Sequence, residues 1–198
     1  MPVGKLARPP GLLKVMLIEF RCILYTLIML AGGNIAMPRF EVGRTITFAD
    51  GSTSRIYRET TSMREQPSDP VLLVVRFRLR LIGTNSVAHA LFRFESLFNT
   101  VLFAAHRGFT TKLWLTDTDT GFYRGIYEWS GSDAAFDYAE VLKVVFAPWV
   151  EKESFGYRIL EGPDRNSFLM GRLGVEEDER ANLWWLPVRS GHGSSMRR

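Results

Sequence analysis

Three arginines recur at every second position of an otherwise apolar run, where Arg76, Arg78 and Arg80 alternate with Phe77, Leu79 and Leu81. On an extended strand such residues share one face. A row of planar guanidinium groups beside apolar surface is suited to receiving a carboxylate or another anion. Further on, Lys112 and Trp114 stand two positions apart, and Arg124 and Glu128 stand four apart in a second strand-like run. Arg76, Arg78, Lys112, Trp114 and Arg124 therefore form a candidate binding set for a small anionic or aromatic molecule, with Glu128 as an internal counter-ion. A second reading stays open, in which these charges are solvated edge residues or interface ion pairs, because alternating charge is common on half-exposed strands.

Acid–base chemistry rests on few groups. Of the three histidines, His192 lies near the end of the chain, and His89 and His106 are seventeen positions apart on one expected helix, a spacing that ligates no metal. His106, next to a helix end at Gly108, reads either as a favourable cation there or as a general base. Asp117 and Asp119 fall in a turn, where their side chains bond the local backbone. The sequence has neither a Gly-x-Ser-x-Gly elbow nor a phosphate-binding glycine loop. The expectation is a site with no metal and no cofactor.

The elements that must position these residues follow from periodicity. Residues 71–82 read as a strand whose odd positions pack under helices. Ser86 opens a helix with apolar positions Leu91, Phe94, Phe98, Val101, Leu102 and Ala105, ended by Gly108. Residues 109–116 and 122–129 read as two strands joined by Asp117-Thr118-Asp119-Thr120-Gly121. A second helix over 133–146, capped by Ser132 and closed by Pro148, and a strand over 155–160 complete the pattern. This is a β-α-β-β-α-β order. It predicts an α+β, ferredoxin-like sandwich with both helices on one sheet face, the first and third strands central, and the other face free. The division on the strand at 109–116 is expected to put Lys112 and Trp114 on that free face with the arginines.

Upstream, residues 44–48 and 54–58 flank Ala49-Asp50-Gly51-Ser52, whose Asp-Gly pair marks a β-hairpin. Residues 60–70, with Pro67 and Pro70, read as a linker. The domain organisation expected is therefore a basic lead and apolar helix over 1–40, a hairpin and linker over 41–70, a ferredoxin-like domain over 71–173, and a largely mobile tail over 174–198 with an apolar clip at 183–188. Residues 12–37 carry only Lys14, Glu19 and Arg21 as charges. Their uncharged part, 22–37, is shorter than the about 20 residues a bilayer span needs. A membrane anchor with basic residues on its cytoplasmic side, a cleaved signal with an overlong n-region and a helix packed on the domain all remain open.

Composition sets outer bounds. The chain has 198 residues, of which 46% are hydrophobic, enough for one ordinary core with extensions. The net charge of +4 owes half its value to Arg197 and Arg198, and no basic run is interleaved with aromatics, so a nucleic-acid partner is not expected. One cysteine, Cys22, forms no internal disulfide, which gives no mark of an oxidising compartment. The expected location is the cytoplasm or the cytoplasmic face of a membrane.

The block Gly108-Phe109-Thr110-Thr111-Lys112-Leu113-Trp114, then Tyr123-Arg124-Gly125-Ile126-Tyr127-Glu128-Trp129 and Ala134-Ala135-Phe136-Asp137-Tyr138, resembles the monooxygenase-like proteins of the YdhR type. These belong to the dimeric α/β-barrel superfamily, in which two ferredoxin-like subunits pack sheet against sheet. The resemblance covers residues 71–162. It implies a homodimer whose free sheet faces enclose a chamber, and oxygen chemistry on a small organic molecule without an obvious metal. In such a reaction Trp114, Tyr127 and Trp129 would pack on an aromatic substrate while His106 or Glu128 removes a proton. Tyr127 and Trp129 also read as core residues. The extensions at both ends depart from the small family members and make a specialised role at a membrane surface more plausible than a simple cytosolic enzyme; the alternative function is a non-catalytic, membrane-associated binding or scaffolding module with membrane contact through residues 12–37.

Overall fold

The computed structural model describes residues 32, 35–63, 69–80, 106, 108–117, 119–171, 173 and 183–192. The helix expected over 86–105, His89 and almost all of the apolar segment 12–37 lie outside them. Eight strands form one antiparallel sheet: β1 (Ile35–Ala36), β2 (Arg44–Phe48), β3 (Thr53–Ser62), β4 (Pro70–Arg78), β5 (Phe109–Thr116), β6 (Phe122–Ser130), β7 (Gly156–Glu161) and β8 (Pro187–His192). Helix α1 spans Ser132–Phe146 and the short α2 spans Arg165–Leu169. The strand order is β7-β4-β6-β5-β3-β2-β8, with β1 paired to one end of β3. Its first four strands put β4 and β6 in the centre, an arrangement compatible with a ferredoxin-like α+β fold. Among the described residues no helix is long and apolar enough to cross a membrane.

β4 explains its own sequence. Val71 to Val75 are all nearly inaccessible because each face of the sheet is covered by a separate core, which is why the run is continuously apolar until Arg76. On one face Val71, Leu73, Val75 and Phe77 pack with Tyr123, Tyr127, Trp129 and the α1 residues Ala135, Tyr138, Ala139 and Leu142. On the other, Leu72, Val74 and Ile126 pack with Ile46, Phe48 and Ile56, and with Phe168 and Leu169 of α2. Trp184, Trp185 and Leu173 close this second core. The face expected to meet a second copy is thus covered by the chain itself, and the chamber expected between subunits is filled within one chain.

The hairpin is part of the same sheet. Gly51, at φ 80°, makes the turn, and the Asp50 carboxylate accepts the Ser52 N–H at 3.0 Å. β3 does not stop where a linker was expected. It runs to Ser62 because Thr60 and Thr61 pair with Lys112 and Thr111 of β5, so polar residues fill the ladder. The chain returns at 183–192, where Leu186 is buried and β8 pairs with β2 from Phe48 back to Arg44. That strand extends past the expected apolar clip into Ser190, Gly191 and His192.

Helix α1 ends where Pro148 predicts, but Ser132 is its first residue rather than its cap. Gly131, at φ 94°, holds the cap position and no side chain bonds there. α2 is capped by Asp164, whose carboxylate accepts the N–H groups of Asn166 at 2.8 Å and Ser167 at 2.9 Å. Asp164→Ala should cost about 1 kcal/mol of stability. Urea unfolding measures it, and an unchanged midpoint would show that packing of Phe168 and Leu169 alone holds α2.

Candidate functional site

The expected site residues fall on opposite faces of the sheet. The cause is one extra residue: Phe109 pairs with Trp129, yet Thr111 pairs with Glu128, so Thr110 is a β-bulge. Past a bulge the alternation changes sides. Lys112 and Trp114 therefore lie on the α1 face with Tyr127, and Leu113 and Leu115 take the face where those two were expected. A matching irregularity in β3, between Ile56 and Arg58, places Tyr57 beside Trp114, with ring centroids 6.4 Å apart.

On the α1 face, Trp114 is fixed by its indole N–H, which donates to the Thr60 hydroxyl at 3.1 Å. Two cations address this ring. The Lys112 Nζ lies 3.1 Å from its centroid and the Arg58 guanidinium carbon 5.1 Å from it. The amine is also 4.6 Å from the Tyr127 ring. Gly125, opposite Trp114 in the ladder, leaves the space that the Tyr127 ring takes. A cavity of about 20 Å³, room for one water, is lined by Tyr57, Lys112, Trp114, Gly125, Tyr127 and Tyr138.

Burial pushes the Lys112 amine well below the ordinary lysine range, and the Arg58 charge adds to the effect. The aromatic rings act oppositely, since a cation over an indole gains about 2 kcal/mol when desolvated. Dehydrating an ammonium costs several kcal/mol, the larger of the two effects. Tyr127 is held above the usual tyrosine range, chiefly by burial, with the hydroxyl of Tyr138 at 3.5 Å partly offsetting it. His106 adjoins this group, edge-on to Tyr138 at 5.2 Å and to Trp129 at 6.4 Å.

Gly125 is required by Tyr127. A Cβ there would stand 2.5 Å from Tyr127 Cε2. Gly125→Ala should displace that ring and cost about 1–3 kcal/mol, read by urea unfolding with near-ultraviolet circular dichroism as the check on ring packing. Unchanged spectra and stability would mean that the ring has room to move.

The opposite face holds the arginines. Arg124 is fully buried and donates to the Ser54 hydroxyl at 2.6 Å and to that of Ser52. Its guanidinium lies 3.6 Å from the Asp50 carboxylate and 4.3 Å from the Phe48 ring centroid. Burial lowers its pKa to about 10, with Asp50 opposing and Arg76 adding, which leaves it charged at neutral pH. Arg76 shares Asp50 at 3.3 Å and is stacked between Phe122 and Trp184, each 4.7 Å away. The structure thus brings Arg76 and Arg124 together, on a carboxylate of the hairpin turn. Arg78 stands apart, in a half-exposed pair with Glu151 at 2.7 Å.

Glu128 also serves this face, where it accepts the backbone N–H of Arg165 at 3.3 Å while the Arg165 side chain pairs with buried Glu59 at 2.8 Å. As a proton acceptor it is on the wrong side of the sheet for Trp114. Sequence reasoning did not single out Tyr57, Arg58, Tyr138, Gly125 or Asp50 for the site. Gly125 carried a signal, because a glycine inside a strand marks a close approach of some other group. Among the described residues no cluster of three or more His, Cys, Asp or Glu could hold a metal ion.

No family model and no curated protein matches the chain. Two solved structures align with 71% of it. One is an uncharacterized ferredoxin-fold protein related to antibiotic biosynthesis monooxygenases from Listeria monocytogenes 4b F2365, 13% identical over 89% of that chain with a TM-score of 0.35. The other is LmHde, a heme-degrading enzyme from Listeria monocytogenes, 12% identical over 93% of that chain with a TM-score of 0.34. At these scores neither alignment bears on what this chain binds or does.

Proposed function

We propose that the protein binds a small anionic or aromatic compound beside Trp114, displacing the Lys112 and Tyr57 side chains from its ring, and acts on it in the manner of a cofactor-independent monooxygenase. The observation that carries the binding half is the convergence of two basic side chains, Arg58 and Lys112, on one buried indole. An indole offers a stacking surface for an aromatic ring, and Arg58 supplies fixed positive charge for an acidic substituent. Lys112 is the polar handle at the cavity wall. Among the described residues on this side of the sheet, His106, against Tyr138, is suited by chemistry to accept a proton. The arginine cluster at Asp50 is occupied by its own turn and serves the fold.

The binding half is tested by a thermal-shift and tryptophan-fluorescence screen of small aromatic acids, phenols and quinones against the full chain and Trp114→Leu. Ligands should raise the midpoint of the parent protein and not that of the variant. Equal shifts in both, or none in either, would refute the site. An oxygen electrode tests the second half: a bound compound that causes no oxygen uptake would leave a binding protein and sink the oxygenase reading.

A further inference from the structure

We infer that the outer edge of β7 is a docking slot for an extended peptide, one that pairs antiparallel to it and carries a basic, two apolar and an acidic residue in succession. The slot lies apart from Trp114 and does not depend on what that site binds. β7 ends the sheet, pairing with β4 alone among the described residues. In an edge strand every second residue turns its N–H and C=O away from its neighbour, which makes a template for one more strand. Along this edge runs an open groove of about 740 Å³, within the size range of clefts that hold ligands. It follows the run Arg158-Ile159-Leu160-Glu161, which spans about 13 Å as a strand. Ile159 and Glu161 belong to the face of α1, from which Phe136, 40% exposed, adds an apolar wall. Arg158 and Leu160 belong to the other face, where Trp185 and Leu173 form the second wall. A single strand fits between these walls, its side chains directed alternately to each.

Charge decides the occupant. The Arg158 guanidinium lies 5.6 Å from the Trp185 ring centroid, and no carboxylate among the described residues pairs with it. Glu161 has no cationic partner among them either. It aligns through Val71 with Trp129, at the end of the sheet where α1 begins, and Asp133 of α1 lines the same groove. The groove is therefore positive at one end and negative at the other, with apolar surface between. Residues directly opposite in an antiparallel pair share a face. A peptide read from its N-terminus thus meets Glu161 with a basic side chain, Leu160 and Ile159 with apolar ones, and Arg158 with an acid. A second copy of this chain offers no such match. Two β7 strands related by a two-fold axis keep each face continuous, so Arg158 could stand opposite only the even-numbered residues of β7, a glycine, a leucine or another arginine, and never Glu161.

The probe is a fluorescein-labelled peptide, Thr-Lys-Leu-Val-Glu-Thr, titrated with the full chain by fluorescence anisotropy, while hydrogen exchange locates the contact. It should bind about fivefold or more tighter than the reversed order Thr-Glu-Val-Leu-Lys-Thr, in which both cross-strand charge pairs turn repulsive. The amides of β7 should exchange more slowly when it is bound. N-methylation of the Leu and Val of the peptide, one of which must face β7, should abolish binding. Arg158→Glu, a change at an exposed position, should shift the preference to Thr-Lys-Leu-Val-Lys-Thr. Equal binding of the two orders, undiminished binding of the N-methylated peptide, or no binding of any peptide overturns the slot. Amides of β7 already protected in a concentration-dependent dimer overturn it as well, because a second copy then occupies the edge.

Discussion

Replacing Lys112 with methionine is expected to stabilise the protein by about 1–4 kcal/mol at neutral pH, the range found when buried ion pairs give way to apolar side chains, because the folded protein must hold an ammonium away from water or give up its proton. The advantage should shrink as the pH rises. Lys112 has a folded-state pKa well below that of the unfolded chain. Between those two values the unfolded state binds a proton that the folded state does not, so the stability of the parent protein climbs with pH. The slope is about 1.4 kcal/mol per pH unit up to the ordinary lysine value of about 10.4. Tyr127 runs the other way: its raised pKa lets the unfolded chain lose a proton first, so stability falls above about pH 10. Urea unfolding of both proteins at pH 7, 8, 9 and 9.5 stays below that opposing effect, and their difference cancels every group they share. A gap that narrows with pH supports a neutral Lys112 in the folded protein. Parallel profiles would mean that folding does not weaken the hold of this amine on its proton.

The same residue shows where sequence reasoning succeeds and where it fails. The parity of β4 was readable because an unbroken alternation separates Leu73, Val75 and Phe77 from Arg76 and Arg78, and the two sets lie on opposite faces. β5 defeats the method. Thr110 inserts a single residue that no local period reveals, and every side chain beyond it changes sides, taking Lys112 and Trp114 away from the arginines. The hairpin announced itself through Asp50-Gly51. Its destination did not, because the reach of that turn to Arg76 and Arg124 depends on the curl of the whole sheet. The return of the chain as β8 was hidden for a similar reason. Arg189, Ser190 and Gly191 have little intrinsic strand tendency and pair with β2 through contacts more than 140 residues distant in sequence, one of them the Arg44 bond to Ser190. Trp184 and Trp185, just before that strand, pack against the core of the second face.

Arg124→Leu should lower stability by about 3 kcal/mol, near the lower end of the cost of removing one partner from a buried ion pair. Two effects compete. Taking a guanidinium out of the interior removes its dehydration cost, and leucine beside Phe48 is well tolerated in an apolar core. Against this, the Ser54 hydroxyl, itself buried, loses its donor, which costs about 1–3 kcal/mol. Of its two guanidinium partners Asp50 keeps Arg76 at 3.3 Å, on a side chain that is partly exposed and so contributes less. The orphaned groups outweigh the relief because they are the ones that hold the β2–β3 turn across the sheet. Hydrogen exchange should therefore speed up first at the amides of Phe48 and Gly51, which close that turn. Asp50→Asn keeps the turn acceptor for Ser52 while removing the charge, so the double variant should lose less than the sum of the two single losses. A loss below about 0.5 kcal/mol for Arg124→Leu, the range of ordinary surface changes, would mean that apolar packing of Ile46, Phe48 and Ile56 alone fixes the hairpin. The buried arginine would then be available to a ligand after all, as the alternation of β4 and β6 first suggested.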